Sequence, residues 1–208
     1  ASGPAQALDI LWKKTHRDWV TSSPRLAHGS VVYGCRDGHL YAVDRAGNVQ
    51  WDFASGAGIG ATPAVDGGRI FCGNYAGRAF ALRDKDGKEL WSVDLGSRLV
   101  ASPAAGKKYV FFSTQAGEIV ALAKKNGKIA WRHPAGGKLR ATPLADDDKL
   151  YAAGGDGQLV CLKQKNGDVR WAYDAGSPVA SSPLLAEGQR MPPRRRTSGC
   201  GCGTRIGP

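Results

Sequence analysis

No apolar run in this chain approaches the roughly 18 residues that a membrane-spanning helix needs, so no transmembrane segment is expected. No stretch keeps a helical period of the required length. The zinc-protease pattern H-E-x-x-H and the haem-attachment pattern C-x-x-C-H are both missing. His16, His28, His39 and His133 fall in unrelated places, which leaves no candidate catalytic residue and no metal-ligand spacing. The opening Ala1-Ser2-Gly3-Pro4 has no Met, no basic n-region and no apolar h-region, and reads as a processed or truncated start. Cysteine is scarce and odd in number, at five, which argues against a disulfide framework. Acids are absent from residues 188–208, where Arg190, Arg194, Arg195, Arg196 and Arg205 put +5 of the net charge of +11. The rest of the charge is mostly Lys in turns, with no aromatics interleaved, so a nucleic-acid surface is not expected.

What the chain does have is a repeat. Trp51, Trp91, Trp131 and Trp171 stand forty residues apart, and Trp12 precedes Trp51 by thirty-nine. Twelve residues after each of these Trp comes the Pro of a Ser/Thr-Pro pair: Pro24, Pro63, Pro103, Pro143 and Pro183. Each repeat divides into four short segments. The first holds the Ser/Thr-Pro pair; because Pro lacks an N–H, it belongs at a strand edge and not in a central strand. The second is apolar and aromatic, as in Ile70-Phe71-Cys72 and Val110-Phe111-Phe112. The third runs from a Gly turn through Leu40-Tyr41-Ala42-Val43 and its counterparts, to Asp86-Gly87, Asn126-Gly127 or Asn166-Gly167, which are strong hairpin signals. The fourth alternates into Trp, as in Lys88-Glu89-Leu90-Trp91.

Four short antiparallel strands per forty-residue repeat make an all-β fold, a β-propeller of four-stranded blades. Full blades are expected at about 20–59, 60–99, 100–139 and 140–179, with a partial blade ending at Trp12 and another beginning at Pro183, as in a fragment of a larger propeller. Residues 1–9 form a flexible segment by composition, 10–186 the repeats, and 187–208 a disordered basic tail that breaks the pattern. Trp12, Trp51, Trp91, Trp131 and Trp171 are the expected structural wedges between blades, each indole large enough to remove about 150–250 Å² from water. Cys72 and Cys161 occupy strand slots held elsewhere by Tyr33 and Ala42 and are expected to be buried; Cys35 occupies a polar slot shared with Asn74, Thr114 and Gly154. The two open ends make self-association a further expectation.

The run Asp156-Gly157-Gln158-Leu159-Val160-Cys161-Leu162-Lys163-Gln164-Lys165-Asn166-Gly167-Asp168-Val169-Arg170-Trp171 closely resembles the repeat of pyrroloquinoline-quinone-like (PQQ-like) propellers, and Asp37–Trp51, Ala76–Trp91 and Ala116–Trp131 match it in register. WD-type repeats share the period, but their Gly-His and recurring Trp-Asp marks are missing. The resemblance spans about residues 10–186. It implies one of three roles: a non-catalytic scaffold that binds a protein or ligand, as in the propeller lipoprotein of outer-membrane barrel assembly; part of a PQQ-dependent quinoprotein dehydrogenase; or the sensor module of a longer signalling protein. It also implies a periplasmic or cell-envelope location. The family's dehydrogenases are similar in having an adjacent Cys-Cys pair over the quinone and a calcium site beside it. No Cys-Cys pair occurs here, so no cofactor is expected on the scaffold reading and PQQ only on the dehydrogenase reading.

In such a propeller the fourth-to-first and second-to-third connections surround the channel mouth. Positions five and three before each Pro should project there, along with the second-to-third loops. The candidate partner- or ligand-binding residues are therefore Trp19, Arg36, Tyr75, Arg98, Lys138 and Arg140, with Asn74 and Gln115 from the same loops. The opposite face carries Lys85, Lys88, Lys124, Lys125, Lys128 and Lys165, expected to be solvated turns.

Overall fold

The computed structural model describes residues 10–179 and 181–184. The expected flexible start at 1–9 and basic tail at 187–208 lie outside the described residues. Among the described residues sixteen strands form four sheets, each a plain antiparallel meander. Blade 1 contains β1 (Arg25–Ala27), β2 (Ser30–Gly34), β3 (His39–Val43) and β4 (Val49–Ala54). Blade 2 contains β5 (Ala64–Asp66), β6 (Arg69–Gly73), β7 (Arg78–Arg83) and β8 (Glu89–Asp94). Blade 3 contains β9 (Ala104–Ala105), β10 (Tyr109–Ser113), β11 (Glu118–Ala123) and β12 (Ile129–Pro134). Blade 4 contains β13 (Leu144–Asp146), β14 (Lys149–Ala153), β15 (Gln158–Lys163) and β16 (Val169–Asp174).

In blades 2 and 3 the middle strands read as nearly continuous apolar runs because both of their faces are covered. In β10, Val110 and Phe112 point into the core shared with blade 2, while Phe111 points into the core shared with blade 4. In β6, Ile70 and Cys72 face blade 1 and Phe71 faces blade 3. This is the period-two alternation of a strand, applied to a sheet buried on both sides. Three such cores serve four blades among the described residues. The inner strands neighbour one another in chain order, β1 against β5, β5 against β9 and β9 against β13. Four blades and three junctions describe an open arc.

The recurring Trp does what its spacing predicts at the inner junctions. Trp91 and Trp131 are 92% buried, and the Nε1–H of each donates to a carbonyl of the next blade, Lys124 at 3.0 Å and Gln164 at 2.9 Å. Each indole lies flat against the hairpin glycine of that next blade, Gly127 or Gly167. Trp51 meets Gly87 in the same way and is half-buried. Trp12 meets Gly47 and donates to the Arg45 carbonyl, although residues 10–14 form no strand. Trp171 departs from the expected wedge role: it is half-buried against its own blade, with Tyr151 at 6.0 Å, and no described residue of a following blade covers it.

Each inner strand begins directly after its Pro, which lies outside the sheet hydrogen bonding as its missing N–H requires. The hydroxyl residue before Pro has a role its sequence position does not announce. The Ser23 N–H donates to Thr62 Oγ1, the Thr62 N–H to Ser102 Oγ and the Thr142 N–H to Ser182 Oγ, at 2.9, 3.0 and 3.0 Å. Side chains thus satisfy backbone donors across blade boundaries where no ladder reaches them.

Candidate functional site

The channel-mouth face is built from a repeated backbone contact. The residue five before Pro offers its carbonyl to the second-to-third loop of the following blade. Trp19 O accepts from Arg36 N–H at 3.0 Å, Gly58 O from Tyr75 N–H at 2.9 Å and Arg98 O from Gln115 N–H at 3.0 Å. At the fourth position Lys138 lies against Gly155, whose missing side chain admits the Lys138 backbone. Both sets of loops are thereby fixed on one face by rigid sheets, the arrangement in which side chains are free to vary.

The candidate residues fall into two groups on this face. Arg36 is exposed and stands 5.8 Å from the ring centre of Trp19, itself 72% exposed. The exposed Arg98 lies over Tyr75, its guanidinium 3.8 Å from the ring centre, close cation–π packing. Gly58 joins these pairs, since it fits between the Arg36 backbone and the Tyr75 ring. Lys138 and Arg140 stand apart from that ridge and line a depression of about 330 Å³ with Gly155, Pro178 and Val179. Of the three cationic candidates, Arg98 is thus held by Tyr75 while Lys138 and Arg140 line the depression. Asn74 is not a surface residue at all. It is 99% buried, donates to Ser55 O at 2.9 Å and accepts from the N–H groups of Ala76 and Arg78.

On the opposite face a broader hollow of about 430 Å³ lies between the first hairpin turns, lined by Asp66, Lys107, Lys124, Asp147 and Gln164 among others. Lys124 differs from the expected solvated turn. Its Nζ pairs with Asp66 of blade 2 and donates to Gly106 O at 2.8 Å, and its own carbonyl receives Trp91 Nε1–H and Arg69 Nη1–H. The Lys124 cation thereby ties two blades together.

At the first junction the fold assembles a group that chain spacing conceals. His16, Cys35 and Asp37 bring one ligand atom each to within 4.8 Å of one another. Cys35, placed in a polar slot by the repeat, is fully buried beneath residues 18 and 19, and its thiol donates to Asp18 O at 3.3 Å. Burial pushes that thiol up from its ordinary range, with the neighbouring Asp37 adding to the rise. Burial also works against the Asp37 carboxylate, but hydrogen bonds from the His39 N–H, the Tyr41 hydroxyl and Cys35 more than offset it, so Asp37 sits below the usual carboxylate range. Cys72 and Cys161 are free and buried, as their slots predict.

Four-stranded meander blades, a forty-residue Trp repeat and an indole wedged on each following hairpin define a β-propeller of the PQQ-like type. The chain belongs to the family described as outer membrane protein assembly factor BamB, whose model matches residues 36–140 and 117–192. Among solved structures it is similar to BamB from Moraxella catarrhalis, with 21% identity and a TM-score of 0.72 over 80% of this chain and 52% of that one. It is similar to the computationally designed Ika8 protein, with 15% identity and a TM-score of 0.73 over 83% of this chain and 54% of that one. It is also similar to quinohemoprotein alcohol dehydrogenase from Comamonas testosteroni, with 17% identity and a TM-score of 0.68 over 77% of this chain and 35% of that one. At these identities the structural likeness concerns the fold alone. The chain spans about half the length of the first two of these structures and about a third of the dehydrogenase. No curated protein sequence matches it.

Proposed function

We propose that this chain is a non-catalytic scaffold whose channel-mouth face binds a protein partner within an outer-membrane assembly system. The observation that carries this reading is the ridge of Trp19, Arg36, Tyr75 and Arg98, two exposed guanidinium groups each held against an aromatic ring. Arg, Trp and Tyr are the side chains that dominate protein–protein binding energy, because they combine a large contact area with directional polar groups. Pre-stacking reduces the ordering cost paid on association. Lys138 and Arg140, both exposed, extend the face with positive charge, which favours an acidic partner segment. The family description as an assembly factor supplies the class of partner, another component of that machinery. No specific observation favours the dehydrogenase or sensor readings.

We further propose that copies of this chain associate through the open ends of the arc. Trp171 and Val179 are only half-covered on blade 4, while Ile10 and Leu11, more than 80% exposed, extend from the other end. Two arcs paired this way contain eight full blades, within the range of propellers.

The binding reading is tested by placing a photoreactive amino acid at Arg98 or Lys138, and at Lys85 or Lys165 on the opposite face, in Gram-negative cells expressing the chain. Discrete adducts with an assembly component are expected from the first pair and not from the second. Adducts confined to the second pair would overturn the assignment of the face. Alcohol-dependent dye reduction by the purified chain after addition of PQQ and calcium would replace the scaffold reading with the dehydrogenase.

A further inference from the structure

We infer that His16, Cys35 and Asp37 form a binding site for a divalent zinc-class cation at the junction between the 10–19 segment and blade 1. The three side chains offer an imidazole nitrogen, a sulfur and a carboxylate oxygen, all within 4.8 Å of one another. Zinc bonds of about 2.0–2.3 Å place tetrahedral ligand atoms about 3.3–3.8 Å apart, so the site closes by side-chain movements of about 1 Å. Three protein ligands leave one position for water. The mixed set of nitrogen, sulfur and oxygen suits zinc far better than magnesium or calcium, which take oxygen ligands.

The surrounding residues orient the ligands already. His16 Nε2 and Tyr33 Oη are 2.9 Å apart, and the Tyr41 ring packs against His16 with centres 4.4 Å apart. The Tyr41 hydroxyl donates to Asp37 at 2.9 Å, and the His39 N–H donates to the same carboxyl group at 3.0 Å. Partners of this kind fix ligand geometry around bound metals. The repeat supplies an internal comparison. The position four after Trp and the position three before the loop glycine meet where Asn74 donates to Ser55 and where Gly154 packs on the Ala135 carbonyl. Those two slots hold Ser55 and Asn74, then Leu95 and Thr114, then Ala135 and Gly154. Only the first junction fills both with metal-ligating types and adds Asp37 from the same loop. It is also the junction where a segment without sheet pairing must be held down. A cation here pins residues 16–19 onto blade 1, as the thiol proton leaves to solvent and the sulfur–metal bond forms.

The test is a cobalt(II) titration of the reduced 208-residue chain carrying Cys200→Ser and Cys202→Ser, which removes the soft ligands of the basic tail. The expected result is a thiolate-to-cobalt charge-transfer band with tetrahedral d–d absorption. Both should saturate at one equivalent and bleach when zinc is added. Cys35→Ser and His16→Ala should abolish the charge-transfer band or weaken binding at least 10-fold, and Asp37→Asn should weaken it about 10-fold. Zinc should also raise the melting temperature of the parent and not of His16→Ala, a partly exposed position that keeps the test available if Cys35→Ser does not fold. No charge-transfer band in the tail-substituted chain, or a band that survives both Cys35→Ser and His16→Ala, would overturn the site.

Discussion

Trp131→Ala is expected to destabilise the chain by about 3–5 kcal/mol, the range for deleting a buried large aromatic. The indole is 92% buried, contacts Phe111 at 5.7 Å and covers Gly167 of the next blade. Its removal also leaves the Gln164 carbonyl without the Nε1–H donor that reaches it at 2.9 Å. Trp171 is the internal control, since it occupies the same repeat position with one side uncovered. Trp171→Ala should cost at most about 1–2 kcal/mol, because a half-buried side chain forfeits only part of its transfer free energy. Urea unfolding of the two variants distinguishes them. Equal midpoints would show that the indole stabilises its own blade and not the junction.

Gly127→Ala should cost about 2–5 kcal/mol through two separable effects. Its φ of +72° lies in the left-handed region, where a side chain adds about 1–2 kcal/mol. An added Cβ would also meet the Trp91 ring at 2.8 Å, an overpacking that costs about 1–3 kcal/mol. Gly176 has the same φ with nothing within 4 Å of a Cβ, so Gly176→Ala should show the backbone effect alone. A loss in Gly127→Ala no larger than in Gly176→Ala would mean that the indole moves aside freely. Equilibrium denaturation of both variants supplies the comparison.

The strands and their order were legible because the same local constraints recur: Pro before an inner strand, a glycine at the outer hairpin that follows Asp or Asn in three of the four blades and Ala46 in the first, and a large aromatic opposite that glycine. Repetition turns weak local signals into a register. The contacts between copies were less legible, because a spacing does not say which atoms meet. Ser102 and Thr62 were legible only as the partners of Pro in the first segment, yet each hydroxyl accepts an N–H from the preceding blade. Asn74 looked like a loop residue available to a ligand and is consumed by Ser55 and its own turn. Lys124 resembled its solvated neighbours until the fold brought Asp66 to it from 58 residues away. His16 and Cys35 are 19 residues apart in the chain, a separation that matches no ligand motif, and meet only because a blade junction folds one onto the other. The cationic mouth residues were placed on one face by the repeat. Their division into an aromatic-stacked ridge and a separate Lys138–Arg140 depression depends on side-chain packing that the repeat does not encode.

The open arc is the feature on which the end-to-end association and the contrast between Trp131 and Trp171 both depend. Sedimentation velocity of the purified 208-residue chain over a range of concentrations tests it most directly, with Trp171→Asp as the paired variant. A reversible, concentration-dependent dimer is expected for the parent and a monomer for Trp171→Asp, because a charge on the uncovered face opposes its desolvation on association. A compact monomer at every concentration, with Trp171→Asp sedimenting identically, would contradict the open arc.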